Sequence, residues 1–244
     1  MAAEIYTRSK GFTAVDRVVF ALSQAMFNGS LCPGDLLREE KISKWFDVSR
    51  STVREAIRVL TVDGLVTRQP NRTVVVRHLT VAEVDDIFRA RMILEGACVR
   101  AAATCSDRTL EDLLREFHVY ETAVSINDPP TAANAHVEFH ANLVQILSGS
   151  HWLAETERSM LCLLHLIMGT VEVSGWELQE EIRSHRMLCE CCCARQIEEA
   201  LAYLKDGLDA SQAFAIRFSM EAHALAKSPG GSLFELNRKG SPRS

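Results

Sequence analysis

The sequence predicts a mainly α-helical chain of two domains, an N-terminal winged helix-turn-helix and a C-terminal, all-α, antiparallel helical bundle. Residues 14–63 contain three stretches with helical apolar spacing, and residues 65–76 read as two short strands around Pro70-Asn71. After Thr80 the chain is almost wholly helical, and its short breaks favour antiparallel neighbours. These three observations together predict the fold class.

In the first domain, turn residues between segments of periodic hydrophobicity predict the order of helices and strands. Helices are expected over residues 14–27, about 39–46 and about 49–63, with Gly29 and Gly64 as stops after the first and third. A hairpin follows the third helix. Three helices and a hairpin in this order are typical of a winged helix-turn-helix.

The second domain is predicted to contain six helices, and a capping box at Thr80-x-x-Glu83 opens the first of them. The last helix could break at Gly207. We expect domain limits of 1–77 and 78–227, with residues 228–244 as a frayed tail.

Charge is unevenly distributed along the 244 residues. Residues 1–77 hold 12 Lys/Arg and 8 Asp/Glu, a balance of +4, whereas residues 78–244 hold 15 and 24, a balance of −9. A local positive face is enough to bind phosphate, so the net charge of −5 does not exclude DNA. No stretch resembles a membrane span or a signal core, so we expect a cytoplasmic protein with reduced cysteines and no membrane partner.

The second and third helices predict a DNA-reading motif, in which the second helix of the pair enters the major groove with its N-terminal residues leading. Arginine can donate bidentately to guanine, and serine and threonine can reach bases or phosphates. Arg50, Arg54 and Arg58 share one helix face, although an ordinary solvated basic face is the open alternative. The candidate DNA-binding residues are Ser49, Arg50, Ser51, Thr52, Arg54 and, in the wing, Arg72.

This region resembles the GntR family of bacterial regulators. The matching residues are Leu31-Cys32-Pro33-Gly34-Asp35-x-Leu37, Val48-Ser49-Arg50-x-x-Val53-Arg54-Glu55-Ala56-Ile57-x-x-Leu60 and Asp63-Gly64-Leu65-Val66. The resemblance implies a dimeric repressor or activator in which Arg50 and Arg54 contact operator DNA. The chain departs from the family at Thr73, where many members have a wing-tip glycine, and at Glu40, at or near the slot of an arginine in fatty-acid regulators.

The helical region resembles the FCD ligand-binding domain of the FadR subgroup. The matching residues are Phe88-x-x-Arg91-x-x-Leu94-Glu95, Phe139-His140 and His185-Arg186. Many FCD domains hold a divalent metal with one aspartate and three histidines. By this resemblance His136 occupies the aspartate slot, His140 and His185 occupy two histidine slots, and Gly207 falls at or beside the third.

We therefore expect His136, His140 and His185 to bind a divalent transition metal, with zinc or nickel favoured because imidazole suits these ions. The two residues on one helix are four apart and so share a face. Cys189, one turn after His185, could supply the missing ligand. The alternative is a polar pocket without metal. With an open coordination position, a carboxylate could complete the shell.

Arg91 is the candidate effector-binding residue, because arginine can clamp a carboxylate bidentately. An internal ion pair with Glu95 at i+4 is the alternative. The four cysteines within residues 189–193 read as small buried hydrophobes, with a thiol-sensing role as the alternative.

These features predict a ligand-responsive regulator, a repressor of a metabolic operon that binds a pseudo-palindromic DNA operator as a homodimer and responds to a small carboxylated metabolite. A thiol/redox- or metal-responsive regulator with the same DNA domain is the alternative. A metal-dependent enzyme is disfavoured because the sequence has no H-E-x-x-H motif and no nucleophile constellation.

Overall fold

The computed structural model describes residues 13–70, 73–126, 129–168 and 175–226. Within these residues the chain is mainly helical with one two-stranded sheet, which confirms the predicted fold class. None of the described helices is both long enough and apolar enough to cross a membrane. The elements in chain order are α1 (Ala14–Phe27), α2 (Glu39–Phe46), α3 (Arg50–Val62), β1 (Val66–Arg68), β2 (Val74–Val76), α4 (Val81–Ala101), α5 (Asp107–Ser125), α6 (Pro129–Ser148), α7 (His151–Met168), α8 (Gly175–Cys193) and α9 (Ile197–Ala226).

The chain divides into two compact units. The second unit contains residues 80–164 and 172–217, and the first contains residues 1–79 together with 165–171 and 218–244. The described C-terminal residues of α7 and α9 therefore belong to the first unit. A division by sequence position alone does not anticipate this, and the predicted domain limits stay predictions.

Local hydrogen bonds define where the helices of the first unit begin and end. Thr13 Oγ1 accepts from the backbone N–H of Asp16, and the Asp16 carboxylate accepts from the N–H of Thr13, so α1 begins with a capping box. Ser49 caps α3, because its hydroxyl accepts from the N–H of Thr52 at 3.1 Å. Gly64 follows α3 with a φ of 75°, and this left-handed conformation turns the chain into β1.

One face of α3 packs into the core of the first unit, and the opposite face stays exposed. The two strands of the wing pair antiparallel, with Val66 opposite Val76. The buried residues of α3 are Val53, Ala56, Ile57 and Leu60.

The second unit is a bundle in which α5 packs against α6 and α8, and α4 packs against α6. The capping box between Thr80 and Glu83 starts α4, as its spacing predicts. The helix α9 continues through Gly207, so the break that the sequence allowed there does not occur. The elements that carry the candidate ligand-binding residues are thus neighbours in one bundle.

Arg195 ties the turn between α8 and α9 to the segment between α4 and α5. Its backbone is left-handed, with a φ of 58°. Its guanidinium donates to the carbonyl oxygens of Ala102, Ala103 and Cys105 at 2.9 to 3.0 Å, and to the Asp107 carboxylate at 2.8 Å. These bonds satisfy carbonyl groups that the end of a helix leaves without partners. They also hold together the ends of α4 and α8.

Candidate functional sites

The predicted DNA-reading side chains stand at the start of α3. Ser49, Arg50, Ser51 and Arg54 are exposed, and Thr52 is half-buried. The Ser49 hydroxyl lies 2.7 Å from that of Ser51 and 2.9 Å from that of Thr52, so the three hydroxyls form one polar cluster at the helix N-terminus. Such a terminus favours phosphate oxygens. Arg72, the candidate in the wing, lies outside the described residues.

The three arginines of the α3 stripe all lie on its exposed face, opposite the buried residues. The side chains of Arg50 and Arg54 are each 64% exposed and that of Arg58 is 70% exposed. A solvent-facing row of guanidinium groups on the second helix of the pair is what reading a major groove requires.

Carboxylates approach each of these arginines in a different way. The Nε of Arg54 donates to Oε2 of Glu39 at 2.7 Å, which joins α3 to the first residue of α2. The Nη1 of Arg58 donates to Oε2 of Glu55 at 2.6 Å, within α3 itself. Sequence reasoning missed the contact with Glu39, because the two residues are fifteen apart.

Glu40 forms the loosest of these contacts. Its Oε1 lies 3.1 Å from Nζ of Lys44 and 3.9 Å from Nη2 of Arg50. Lys44, followed by Arg50, lowers the pKa of the Glu40 carboxyl below its ordinary value. Glu40 therefore carries a negative charge next to the predicted DNA-reading face.

The structure brings together the three predicted metal-binding histidines. His136 and His140 lie one turn apart on α6, and His185 lies on α8. One ligand nitrogen from each falls within 4.8 Å of the other two. His140 is buried, whereas His136 and His185 are half-buried. The cluster therefore sits at the edge of the bundle core, with one ring buried and the other two mostly enclosed.

Two of the rings present ring nitrogens to each other while acceptors hold their other nitrogens. His140 Nδ1 lies 2.7 Å from Oε2 of Glu95, and His185 Nδ1 lies 2.7 Å from the backbone carbonyl oxygen of Glu181. A carbonyl only accepts, so the Nδ1 of His185 carries the proton. Burial lowers the pKa of His185 to about 4, which keeps that ring neutral. Its Nε2 is then a bare lone pair.

The Nε2 atoms of His140 and His185 are only 3.0 Å apart. If the Glu95 carboxylate accepts from His140 Nδ1, the two facing nitrogens both carry lone pairs, and these repel unless a cation or a proton lies between them. Histidine ligands of metals show this same arrangement, with Nδ1–H held by a carboxylate or carbonyl and Nε2 directed at the ion. The donor set therefore fits a transition-metal ion.

Glu181 also borders the cluster through its side chain. Its Oε1 accepts from the Tyr120 hydroxyl at 3.2 Å and lies 3.2 Å from Nε2 of His136. Burial raises the pKa of Glu181 to about 7. Sequence reasoning missed this residue, although its position one turn before His185 was a usable signal.

The fourth ligand of the resemblance has no counterpart among the described residues near the cluster. A Cβ at Gly207 would lie 3.4 Å from Oγ of Ser184, the residue before His185, so α9 approaches α8 here at a residue that has no donor side chain. Cys189 is buried and does not join the group of three histidines, so the expectation that its thiol replaces the missing ligand is wrong for this arrangement.

Arg91 is fully enclosed in an ion-pair network. Its Nε donates to Oε1 of Glu157 at 2.6 Å, and its Nη2 lies 2.9 Å from Oε1 of Glu95. The three side chains are at most 2% exposed. The structure therefore shows the internal ion pair that the sequence left as the alternative, extended by Glu157. Because Arg91 is enclosed and its guanidinium already contacts both Glu95 and Glu157, we assign it to this network and not to direct effector binding.

Glu157 is the member of this network that holds a proton. Burial, followed by the charge of Glu95, raises its pKa to about 8. Burial also raises the pKa of Glu95, but Arg91 opposes that shift. Both oxygens of Glu95 face nitrogen donors, Nη2 of Arg91 at 2.9 Å and Nδ1 of His140 at 2.7 Å, and on this geometry we treat Glu95 as the ionised partner of both.

The cysteine run at the end of α8 is mostly buried. Cys189, Cys191 and Cys192 are buried, and Cys193 is half-buried. Burial raises the pKa of Cys192 to about 12 and that of Cys189 well above its ordinary value. These thiols stay protonated, which disfavours reactivity and suits small hydrophobic side chains.

Two family models match the chain, one on each side of residue 80. The model of bacterial regulatory proteins of the gntR family matches residues 14–76, and the FCD domain model matches residues 86–210. The uncharacterized HTH-type transcriptional regulator YdhC of Bacillus subtilis is 28% identical over 172 residues, which cover 69% of this chain and 76% of that protein. The gluconate operon transcriptional repressor of Bacillus licheniformis is 27% identical over 146 residues, which cover 59% of each chain.

Two solved structures share the fold of the chain over most of its length. The structure of a putative transcriptional regulator GntR from Rhodococcus sp. RHA1 has a TM-score of 0.70 and 26% identity, over 83% of this chain and 97% of that chain. McbR/YncC of Escherichia coli has a TM-score of 0.67 over 85% of this chain and 99% of that chain, and at 20% identity it shows the fold alone.

The proton on Glu157 makes the stability of the metal-free protein depend on pH. The folded state holds this proton up to about pH 8, whereas a carboxyl of ordinary pKa 4.5 in the unfolded chain has lost it. Its contribution is therefore complete below pH 4.5 and is lost as the pH rises through 8. The lowered pKa of His185 acts in the opposite direction, because the folded protein gains stability as the pH rises from about 4, and this gain is complete above the ordinary histidine pKa of 6.5.

Between pH 6.5 and 8.0, we expect the free energy of unfolding to fall by about 2 kcal/mol more in the wild type than in Glu157→Gln. Because the pKa of Glu181 is also raised, its ionisation lowers the free energy of unfolding in both proteins alike. Urea denaturation in EDTA at the two pH values measures the difference, with Glu155→Gln on the same helix as the matched control. Parallel falls in the wild type and Glu157→Gln would show that Glu157 is ionised in the folded state.

Proposed function

The chain belongs to the family of bacterial transcription regulators that join a gntR-type DNA-binding domain to an FCD domain, and from this premise we propose that it is a homodimeric repressor controlled by a small carboxylated metabolite at a transition-metal site. The family and the relatives it matches are DNA-binding regulators and not enzymes. Operator DNA lies in the cytoplasm, where we place the protein.

The observation that carries the proposal is the 3.0 Å approach of the Nε2 atoms of His140 and His185. His136, His140 and His185 would hold the ion, and zinc or nickel suits three imidazoles best. When bound, such an ion supplies a positive charge and an open position that an oxygen ligand can take. Glu95 and the carbonyl of Glu181 would keep two of the rings oriented.

A carboxylate effector needs a positive charge to compensate its own. Arg91 does not provide it, because its guanidinium is buried and already contacts the ionised Glu95 and the side chain of Glu157. The metal ion would therefore be the group that attracts the carboxylate. Two of the relatives are named for control of a gluconate operon, and gluconate is a small hydroxylated carboxylate, which supports this class of effector.

Effector binding would control transcription by favouring one of two states of the dimer. An effector shifts that equilibrium only as far as its affinity for the two states differs, and operator DNA must weaken effector binding by the same factor. In a two-fold symmetric dimer the two copies of α3 would read the two half-sites of a pseudo-palindrome. A thiol-based sensor has less support, because burial raises the pKa of Cys189 and Cys192.

Metal binding tests the histidine cluster directly. After removal of metals with a chelator and reloading with zinc, we expect about one zinc ion per chain by elemental analysis. His140→Ala and His185→Ala should weaken zinc binding by about 100-fold or more in competition with a chromophoric chelator, because each removes a ligand. His151→Ala, an exposed histidine on α7, is the matched control. No zinc in the wild type, or equal affinity in all variants, would refute the metal site.

Release of DNA by a carboxylate tests the proposed function as a whole. Duplexes that the wild-type chain selects from a randomised pool serve as the operator probe, and a panel of small carboxylates that includes gluconate serves as the effector. We expect at least one carboxylate to weaken operator affinity about 5- to 150-fold in the zinc-loaded protein and to have no effect after chelation. Arg50→Ala combined with Arg54→Ala should abolish selective binding. Equal release with and without zinc would contradict the role of the metal.

A further inference from the structure

Glu39, to which no sequence motif assigns a role, lies next to the exposed arginine face of α3. Glu39 is the first residue of α2, and its Oε2 accepts from Nε of Arg54 on α3 at 2.7 Å. The Glu39 side chain is 28% exposed, whereas that of Arg54 is 64% exposed. The carboxylate is therefore partly sheltered between the two helices, and the guanidinium extends past it into solvent.

Arg54 is contacted through a different guanidinium nitrogen from the other arginines of the stripe. Arg58 is bound through its terminal Nη1, and Arg50 has only a loose approach of 3.9 Å from Glu40 to its Nη2. In Arg54 the contact uses Nε, at the inner end of the guanidinium. Arginine has five N–H donors in a rigid fork, so a bond at Nε leaves the outer pair of nitrogens available.

The outer edge of an arginine is what a guanine recognises. Its Nη1 and Nη2 can donate together to O6 and N7 in the major groove, which is the commonest specific contact in protein–DNA complexes. A long side chain loses rotamer freedom when it binds, and a bond that restricts it beforehand reduces that loss. We infer that Glu39 is a positioning residue for sequence reading, which holds the Nε–H of Arg54 and thereby presents the Nη1/Nη2 edge to a guanine.

Because Glu39 is charged, its removal should change DNA binding in a way that the removal of a merely stabilising residue would not. A carboxylate beside the groove repels phosphates, so it lowers affinity for every duplex. Its removal should strengthen non-specific binding and, at the same time, weaken the preference for one base. Glu40 also lies in the first turn of α2, and it contacts Lys44 and Arg50 but not Arg54 in the described structure. Glu40→Gln is therefore a control that matches both the charge change and its position at the helix start.

The test uses the full chain and a pool of randomised duplexes, with sequencing of the bound fraction. Wild type and Arg54→Ala define the position at which Arg54 reads a guanine. We expect Glu39→Gln to lower the guanine preference at that position by about tenfold and Glu40→Gln to leave it unchanged. Both variants should bind a fixed duplex outside the selected set more tightly than the wild type. Circular dichroism and thermal unfolding establish that the variants are folded.

Four results would overturn the inference. The first is a Glu39→Gln variant with the guanine preference of the wild type. The second is an equal loss in Glu39→Gln and Glu40→Gln, which would trace the effect to charge at the start of α2. The third is an Arg54→Ala variant that loses preference at no position, since Arg54 would then contact only the backbone. Failure of the wild type to select any sequence would contradict the inference as well, and it would do so independently of the metal site.

Discussion

The approach of two imidazole nitrogens is the constraint on which the second unit depends. The Nε2 atoms of His140 and His185 lie 3.0 Å apart, and acceptors on α4 and α8 hold the opposite sides of the two rings. Neither ring can turn its Nδ1 inward without leaving one of those acceptors unpaired, which is costly for a buried group. Three helices therefore place these nitrogens so that their lone pairs would converge, and a cation bound between them, as we propose, would remove the repulsion.

Buried charges behind the histidines keep that arrangement in place. Arg91 lies between Glu95 and Glu157, and Glu95 in turn contacts His140. A buried ion pair is weak evidence of stability, because desolvation offsets much of the attraction. Its value here is orientation, since Glu95 fixes one ring of the candidate metal site. The raised pKa of Glu157 has its origin in the same buried network, because burial and then the charge of Glu95 disfavour its ionised form.

The sequence predicts those parts of both sites that depend only on the spacing of residues within one helix. The start of α3 follows from its cap and its buried face, and the pair His136 and His140 follows from a spacing of four. Sequence reasoning missed Glu39 and Glu157, whose arginine partners lie 15 and 66 residues away, because periodicity carries no information about which helices meet. Cys189 failed for a related reason. It lies one turn after His185 on α8, but spacing along one helix does not tell how far its thiol is from the two histidines of α6, and the sulfur does not lie within 4.8 Å of all three ligand nitrogens.

The protonation of the two facing histidines in the zinc-loaded protein tests the account most directly. Long-range proton–nitrogen NMR on histidine-labelled protein reports the state of each ring nitrogen. We expect His140 and His185 both to carry a proton on Nδ1, and both Nε2 signals to shift when zinc is added. A proton on Nε2 of either ring in the presence of zinc would contradict it, because that nitrogen could not then be a metal ligand.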